Sequence, residues 1–210
     1  MIRILIADDH AIVRRGLKQI IEDTGEMQVV AEASSGIEAL RGIRAHECDV
    51  VLLDISLPDM SGIDVLKQVH AERPHLPVLI LSIYPEDQYA SRLIKAGAAG
   101  YLTKESAPPE VVGALRRVAG GKKYISPAVA EILANEISDP EEKRPHQMLS
   151  DREYQIFLLL ASAKTVTEIA DALALSVKTV STYRSRILDK MRLSNNAELM
   201  RYAVDNQLSQ

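Results

Sequence analysis

The chain has 210 residues, 47% hydrophobic and 26% charged, enough for one large domain or two modest ones with their own cores. Its net charge of −4 argues against a constitutive nucleic-acid binder, and no apolar stretch approaches the roughly 18–20 residues that span a bilayer. Met1-Ile2-Arg3-Ile4 carries no signal-peptide pattern and Cys48 stands alone, reading as a small buried hydrophobe, so a cytoplasmic protein without an intrachain disulfide is expected.

The first apolar run, Ile4 to Ala7, ends on Asp8-Asp9. Ile12, Val13, Leu17, Ile20 and Ile21 then recur at helical spacing and stop near Gly25, before a second strand at Val29-Val30-Ala31. Ser35-Gly36-Ile37-Glu38 has the capping-box pattern that opens a helix. Val50 to Leu53 runs into Asp54, and a helix follows from Ile63 to Val69, ended by Arg73-Pro74. Val78 to Leu81 delivers Ser82, with a helix over Glu86 to Lys95 ended by Gly97. Gly100-Tyr101-Leu102-Thr103 delivers Lys104, and Val111, Val112, Leu115, Val118 and Ala119 line a fifth helix stopped by Gly120-Gly121.

Continuous apolar runs of this length suit strands buried on both faces of a parallel sheet, and their alternation with helices predicts a doubly wound α/β domain. In such a sheet the carboxyl ends of the strands share one crevice. Three carboxylates, a hydroxyl and an ammonium should therefore meet at one edge. Clustered carboxylates must take up protons or bind a cation, and an all-oxygen set suits Mg²⁺. An aspartate beside such an ion, a lysine and a hydroxyl is equipped to accept a phosphoryl group. His10 reads as a helix-entry residue packed near this edge, because imidazole suits Mg²⁺ poorly. Asp59 and Asp64 read as solvated loop and helix-start acids.

Ser126-Pro127 starts a short helix to about Ile137, and the polar, proline-bearing stretch Ser138 to Pro145 reads as linker. Beyond Leu149 only helical periodicity remains. Ser150 with Glu153, and Thr165 with Glu168, repeat the capping pattern, and Ser176 caps a third helix whose inner face is Val177, Val180, Tyr183, Ile187 and Met191. A last helix spans about Asn196 to Asn206. Between 176 and 192 five basic residues, Lys178, Arg184, Arg186, Lys190 and Arg192, face only Asp189. Two short helices joined by a tight turn, the second basic outward, follow helix-turn-helix logic.

Residues 2–121 resemble a receiver domain of two-component signalling, through Asp8-Asp9, the segment Asp54-Ile55-Ser56-Leu57-Pro58-Asp59-Met60-Ser61-Gly62, then Ser82, Tyr101 and Lys104. Residues 148–206 resemble a LuxR-type domain, through Leu149 to Glu153, Glu168-Ile169-Ala170, Leu173 and Ser176 to Val180. With Asp8-Asp9-His10 this points to the NarL/FixJ group. The resemblance implies a five-stranded, flavodoxin-like receiver over 1–121, a linker with a short helix over 122–147, and a four-helix helix-turn-helix domain over 148–210. It implies Asp54 as phosphoacceptor, with Asp8, Asp9, Asp54 and the Ser56 carbonyl around Mg²⁺. Lys104 and Ser82 would hold phosphoryl oxygens, and Tyr101 would be the switch aromatic.

On the third helix the resemblance implies base reading by Ser181, Thr182 and Ser185, and phosphate contacts by Lys178, Thr179, Arg184 and Arg186. The implied partners are a sensor histidine kinase, double-stranded promoter DNA and a second copy when phosphorylated, with RNA polymerase a further candidate and no membrane. Ala163 stands where the family has a helix-ending glycine, Tyr183 replaces a usual histidine, Ile83 a small residue, and Glu105 a proline. A non-enzymic, phosphorylation-controlled DNA-binding regulator is the leading reading. A regulator indifferent to phosphate would be expected to have lost part of the Asp8, Asp9, Asp54, Ser82, Lys104 set. An aspartyl-phosphate phosphatase would want an acid where Ser56 stands.

Overall fold

The computed structural model describes residues 1–138, 144–206 and 208. The chain divides into two compact units, Met1–Asn135 and Glu136–Gln210. Most of the expected linker, residues 139–143, lies outside the described residues.

The first unit alternates strand and helix: β1 (Ile2–Ala7), α1 (Ala11–Glu22), β2 (Met27–Ala33), α2 (Gly36–Ala45), β3 (Val50–Leu53), α3 (Gly62–Glu72), β4 (Val78–Ser82), α4 (Glu86–Lys95), β5 (Gly100–Thr103) and α5 (Pro108–Ala119), with α6 (Pro127–Ser138) after it. All five strands are parallel, in the order β2-β1-β3-β4-β5. The order reverses at β1, so the crevice opens where β1 and β3 part company with their following helices. Ile4, Ile6, Val50, Leu52, Leu79, Leu81 and Leu102 join Leu17 and Ile21 of α1 and Leu115 and Val118 of α5 in one buried cluster. Leu5, Val51, Leu53 and Ile80, the alternate residues, are just as fully buried. Both faces of the sheet are covered, which is why the strands read as unbroken apolar runs. Past α5, Tyr124 donates its amide to Ala99 and bridges Gly100, covering the outer edge of β5. Cys48 is buried and free, as expected, and burial raises its thiol pKa.

The second unit holds a 3₁₀ turn (Pro145–Met148) and four helices, α7 (Asp151–Ala161), α8 (Val166–Ala172), α9 (Val177–Met191) and α10 (Asn196–Asp205). The capping boxes at Ser150/Glu153 and Thr165/Glu168 both form, each with two reciprocal hydrogen bonds. The Ser35 box forms only by half. Ser35 accepts from the Glu38 amide, but Glu38 turns back to Ser34. Val177 departs from the expected inner face: it opens α9 and is half exposed, and Val180, one turn on, is the first buried position. His146, Tyr154, Phe157 and Tyr202 form an aromatic cluster, pinned by a 2.8 Å hydrogen bond between His146 Nδ1 and the Tyr202 hydroxyl. Among the described residues no helix is long and apolar enough to cross a membrane.

The helix ends of the two units differ. α4 and α5 close on left-handed Gly97 and Gly121, whereas α7, α8 and α9 close on Ala163, Ala174 and Arg192 at φ +61°, +51° and +56°. In each of the latter three, the two amides after the helix bond back to its last-turn carbonyls, as Lys164 to Leu159 and Ala163 to Leu160 do. Alanine held there costs about 1 kcal/mol relative to glycine. We expect Ala163→Gly to stabilise the second unit by about that amount. Urea unfolding followed in that unit measures it, and an unchanged midpoint would refute the strain.

Candidate functional site

The sheet edge brings the predicted side chains together because Asp8, Asp54 and Lys104 stand one step beyond β1, β3 and β5, and Ser82 is the last residue of β4. Asp8 and Asp54 are each only 2% exposed. The Lys104 ammonium lies between them, 2.6 Å from Asp54 Oδ2 and 2.7 Å from Asp8 Oδ2. Only the first of these contacts is an aligned hydrogen bond; Asp8 Oδ2 keeps none. Burial drives the Asp54 pKa up, against the opposing pull of Lys104 and the Ser56 amide. Burial alone would lower Lys104, but the two carboxylates outweigh it and raise its pKa. The Ser56 amide donates to Asp54 Oδ1 at 3.1 Å. Ser82 is fully buried and its carbonyl accepts from the Lys104 amide at 2.7 Å, tying β4 to the lysine. Its hydroxyl accepts from the Tyr84 amide at 3.2 Å.

Donor atoms of Asp8, Asp9, His10 and Asp54 all lie within 4.8 Å of one another. Three carboxylates that close, two of them buried, form a hard-oxygen set of the kind that holds a divalent cation. Tyr101 is buried, its ring inward, and its hydroxyl donates to the Tyr84 carbonyl at 2.7 Å. Burial raises its pKa. Ile83 is 60% exposed, so its bulk lies outside the buried cluster. No cis peptide occurs among the described residues, in line with Glu105 after Lys104.

Three contributors escape a sequence reading. Asp59 is an exposed loop acid, as expected, but it has a further part: its two oxygens accept from the Gly36 and Ile37 amides at 2.7 and 3.0 Å, capping α2 from the loop after β3. Those amides overcome the effect of burial and lower its pKa. Arg14 reaches back from α1 and donates to the Asp8 carbonyl at 2.6 Å. A cation in the first turn of a helix opposes the helix dipole, and that was the available signal. His10 does not pack: its side chain is 61% exposed, with Nδ1 turned onto the carboxylates. Asp64 is an exposed acid in the first turn of α3, as expected.

Gly62 fixes the loop that carries Ser56. A Cβ there would lie 2.2 Å from the Asp54 carbonyl oxygen and 2.7 Å from Ile55 Cα. Backbone on both sides leaves nothing to yield. Gly62→Ala is expected to destabilise the first unit by about 3 kcal/mol. Denaturant unfolding checks this, and a loss under 1 kcal/mol would mean the loop relaxes freely.

On α9, Lys178, Thr179, Thr182, Tyr183 and Arg186 line one shallow cleft, and Ser181 and Ser185 are exposed beside it. Thr182 and Ser185 donate their hydroxyls to carbonyls one turn back, Lys178 and Ser181. Arg184 is set apart from this face. It is half buried and its Nε donates to Asn196 Oδ1 at 2.6 Å, bracing the start of α10. The reason is periodicity: two residues along a helix is about 200°, so Arg184 faces away from Thr182 and Arg186. Lys190 is likewise engaged, at 2.7 Å from the buried Glu153.

Residues 4–116 match the family described as Response regulator receiver domain, and residues 147–203 match Bacterial regulatory proteins, luxR family. The chain is 40% identical over 205 residues to Response regulator GacA of Pseudomonas viridiflava, covering 97% of this chain and 96% of that protein. It is 38% identical over 209 residues to Response regulator UvrY of Escherichia coli O6:H1, covering 99% and 96%. A solved structure of the Salmonella typhimurium RcsB response regulator, concerned with its conformational dynamism for DNA interaction, superposes at TM-score 0.60 with 27% identity over 97% of this chain and 98% of that one. This chain therefore belongs to the DNA-binding response regulators of two-component systems, of the NarL/FixJ type that joins a receiver domain to a LuxR-family domain.

Proposed function

We propose that Asp54 takes a phosphoryl group from a phosphohistidine of a sensor kinase, and that this controls dimerisation and promoter binding through α9. The carrying observation is the Asp8–Lys104–Asp54 bridge, two buried carboxylates held by one ammonium at 2.6–2.7 Å. An Asp54 carboxylate oxygen attacks phosphorus, the phosphorus–nitrogen bond breaks, and the imidazole leaves with the bonding pair. The Lys104 ammonium, already at Asp54 Oδ2, is placed to follow the charge onto a phosphoryl oxygen. Ser82 donates its hydroxyl to a second oxygen on turning from the Tyr84 amide. The Ser56 amide keeps the non-attacking oxygen, Oδ1, fixed.

Asp8, Asp9, Asp54 and the Ser56 carbonyl are the groups we assign to Mg²⁺, which when bound neutralises charge on the transferring group. Tyr101, already inward and bonded to the Tyr84 carbonyl, is positioned to register any movement of the loop between Ser82 and Tyr84. We assign 1–121 to the receiver, 122–147 to the connection and 148–210 to DNA binding, in a cytoplasmic protein that processes no substrate beyond its own phosphoryl group. On α9, Thr182, Ser181 and Ser185 are placed to read base edges, and Lys178, Thr179 and Arg186 to meet phosphates. Arg184, held by Asn196, is reassigned to support. RNA polymerase is retained as a candidate partner at the promoter.

A small phosphodonor with Mg²⁺ should add one acid-labile phosphoryl mass to the full chain and move it from monomer toward dimer. Intact mass and light scattering, with and without chelator, test this. Labelling that is indifferent to the chelator would overturn the metal assignment.

A further inference from the structure

We propose that the Ser126–Glu86 hydrogen bond is a latch that holds the start of α6 to α4 until Asp54 is phosphorylated. The inference rests on the reading of Asp54 as phosphoacceptor and of Ser82 as a hydrogen-bond donor to the phosphoryl group. Its own observation is the path of the chain after α5. The segment is fastened first to β5 and α5. Arg117 donates to the Lys123 carbonyl at 2.7 Å, the Tyr124 amide to the Ala99 carbonyl at 2.8 Å, and the Tyr124 hydroxyl to Glu110 Oε1 at 2.7 Å. A Cβ at Gly100 would lie 2.7 Å from the Tyr124 carbonyl oxygen, so this strap runs tight along β5. Two residues on, the Ser126 hydroxyl donates to Glu86 Oε2 at 2.7 Å while accepting from the Val129 amide at 3.2 Å. One side chain thus caps α6 and ties it to a different element.

Glu86 stands in the first turn of α4, a short loop away from Ser82. Between them the Tyr84 amide donates to the Ser82 hydroxyl at 3.2 Å, and the Tyr84 carbonyl accepts from the Tyr101 hydroxyl at 2.7 Å. Pro85 follows with its φ fixed by the ring, so a turn of Tyr84 is passed on to Glu86. α4 begins without a side-chain cap hydrogen bond, which leaves this end the easier one to move. When Ser82 turns to the phosphoryl group, the Tyr84 amide loses its acceptor and the loop shifts. Tyr124 stays on β5, and only Ile125 separates it from Ser126. So short a tether cannot follow Glu86, and a hydrogen bond is lost within about 1 Å of stretch. α6 then loses its anchor, and it is the helix that leads into the second unit.

The test is hydrogen exchange of the full chain, read at the α6 amides of residues 129–135, with intact mass to confirm phosphorylation. A small phosphodonor with Mg²⁺ should speed exchange there about fivefold in the parent, as loss of one hydrogen bond of ordinary strength does. Glu86→Ala should reach that rate without the phosphodonor and gain little more from it. Glu86→Gln, which keeps an acceptor and loses the charge, should stay close to the parent. Exchange in Glu86→Ala at the parent's rate, or a phosphorylated parent with unchanged exchange, would overturn the latch. So would a Glu86→Gln that matches Glu86→Ala, because the charge on the first turn of α4 would then carry the effect. A parent that gains no phosphoryl mass refutes the reading of Asp54 separately, and the Glu86 variants still decide the latch.

Discussion

Asp54→Asn should take up no phosphoryl group from a small phosphodonor, while the parent gains one per chain. The amide that replaces the carboxylate is no nucleophile at phosphorus, and Asp8 cannot substitute because Lys104 and its own loop hold it: its Oδ1 accepts from the His10 amide at 2.8 Å. The variant should nevertheless be folded, and more stable than the parent at neutral pH. Asp54 has its pKa raised, chiefly by burial. A carboxylic acid whose folded-state pKa exceeds its unfolded one destabilises the folded state once ionised. That cost is absent below the unfolded value, sets in as pH rises past it, and is complete above the folded value. The asparagine removes the charge and with it the cost, although Lys104 then keeps Asp8 as its one carboxylate contact. Thermal unfolding from pH 4 to pH 8 should therefore show the advantage of Asp54→Asn widening with pH. A variant that still labels, or one that melts lower at pH 8 than the parent, would contradict this account.

The parts of the pocket that could be read from sequence are those set by strand ends. A parallel strand buried on both faces must be apolar throughout, so its first polar residue marks the edge of the sheet. Asp8, Asp54 and Ser82 announce themselves that way, and each lies where that rule puts it; Lys104 comes one residue later, after Thr103, the last residue of β5. The helix caps were legible for a similar reason: Ser150, Thr165 and Ser176 bond to amides three residues on, a distance the sequence contains. Asp59 bonds to amides more than twenty residues earlier, which only the packing of the β3–α3 loop on α2 determines. Arg184 shows the converse. Its charge placed it with the DNA-facing cations, but charge carries no information about azimuth, and Asn196 captures it on the other side of α9. His10 falls between the two, since its position was legible and the direction of its ring was not.

The residues that face outward on α9 predict how DNA binding depends on salt. Residues 147–210 carry eight basic and seven acidic groups, a net of +1, while the preceding 146 residues carry a net of −5. Attraction to DNA is thus local, resting on a few cations on an otherwise acidic chain, and each phosphate contact releases counterions. Removing Lys178 and Arg186, the exposed cations of the α9 cleft, should weaken binding to specific and random duplexes alike. It should also lower the slope of log affinity against log salt by roughly 1 per charge removed. Thr182 and Ser185 changes should instead alter which sequences are preferred and leave the slope in place, because hydroxyls displace no counterions. Arg184→Ala should lower the melting temperature more than it lowers the salt slope, since its guanidinium holds Asn196 at the head of α10. The segment from residue 144 onward, checked for helicity, should bind random duplex more tightly than the unphosphorylated full chain, because the acidic remainder no longer repels the duplex. Salt titrations of the parent, these variants and the segment on one operator and one random duplex separate the roles. If Lys178 and Arg186 together leave the slope as it was while Arg184→Ala lowers it, the DNA-facing side of α9 is the one that carries Arg184, and the assignment made from exposure is wrong.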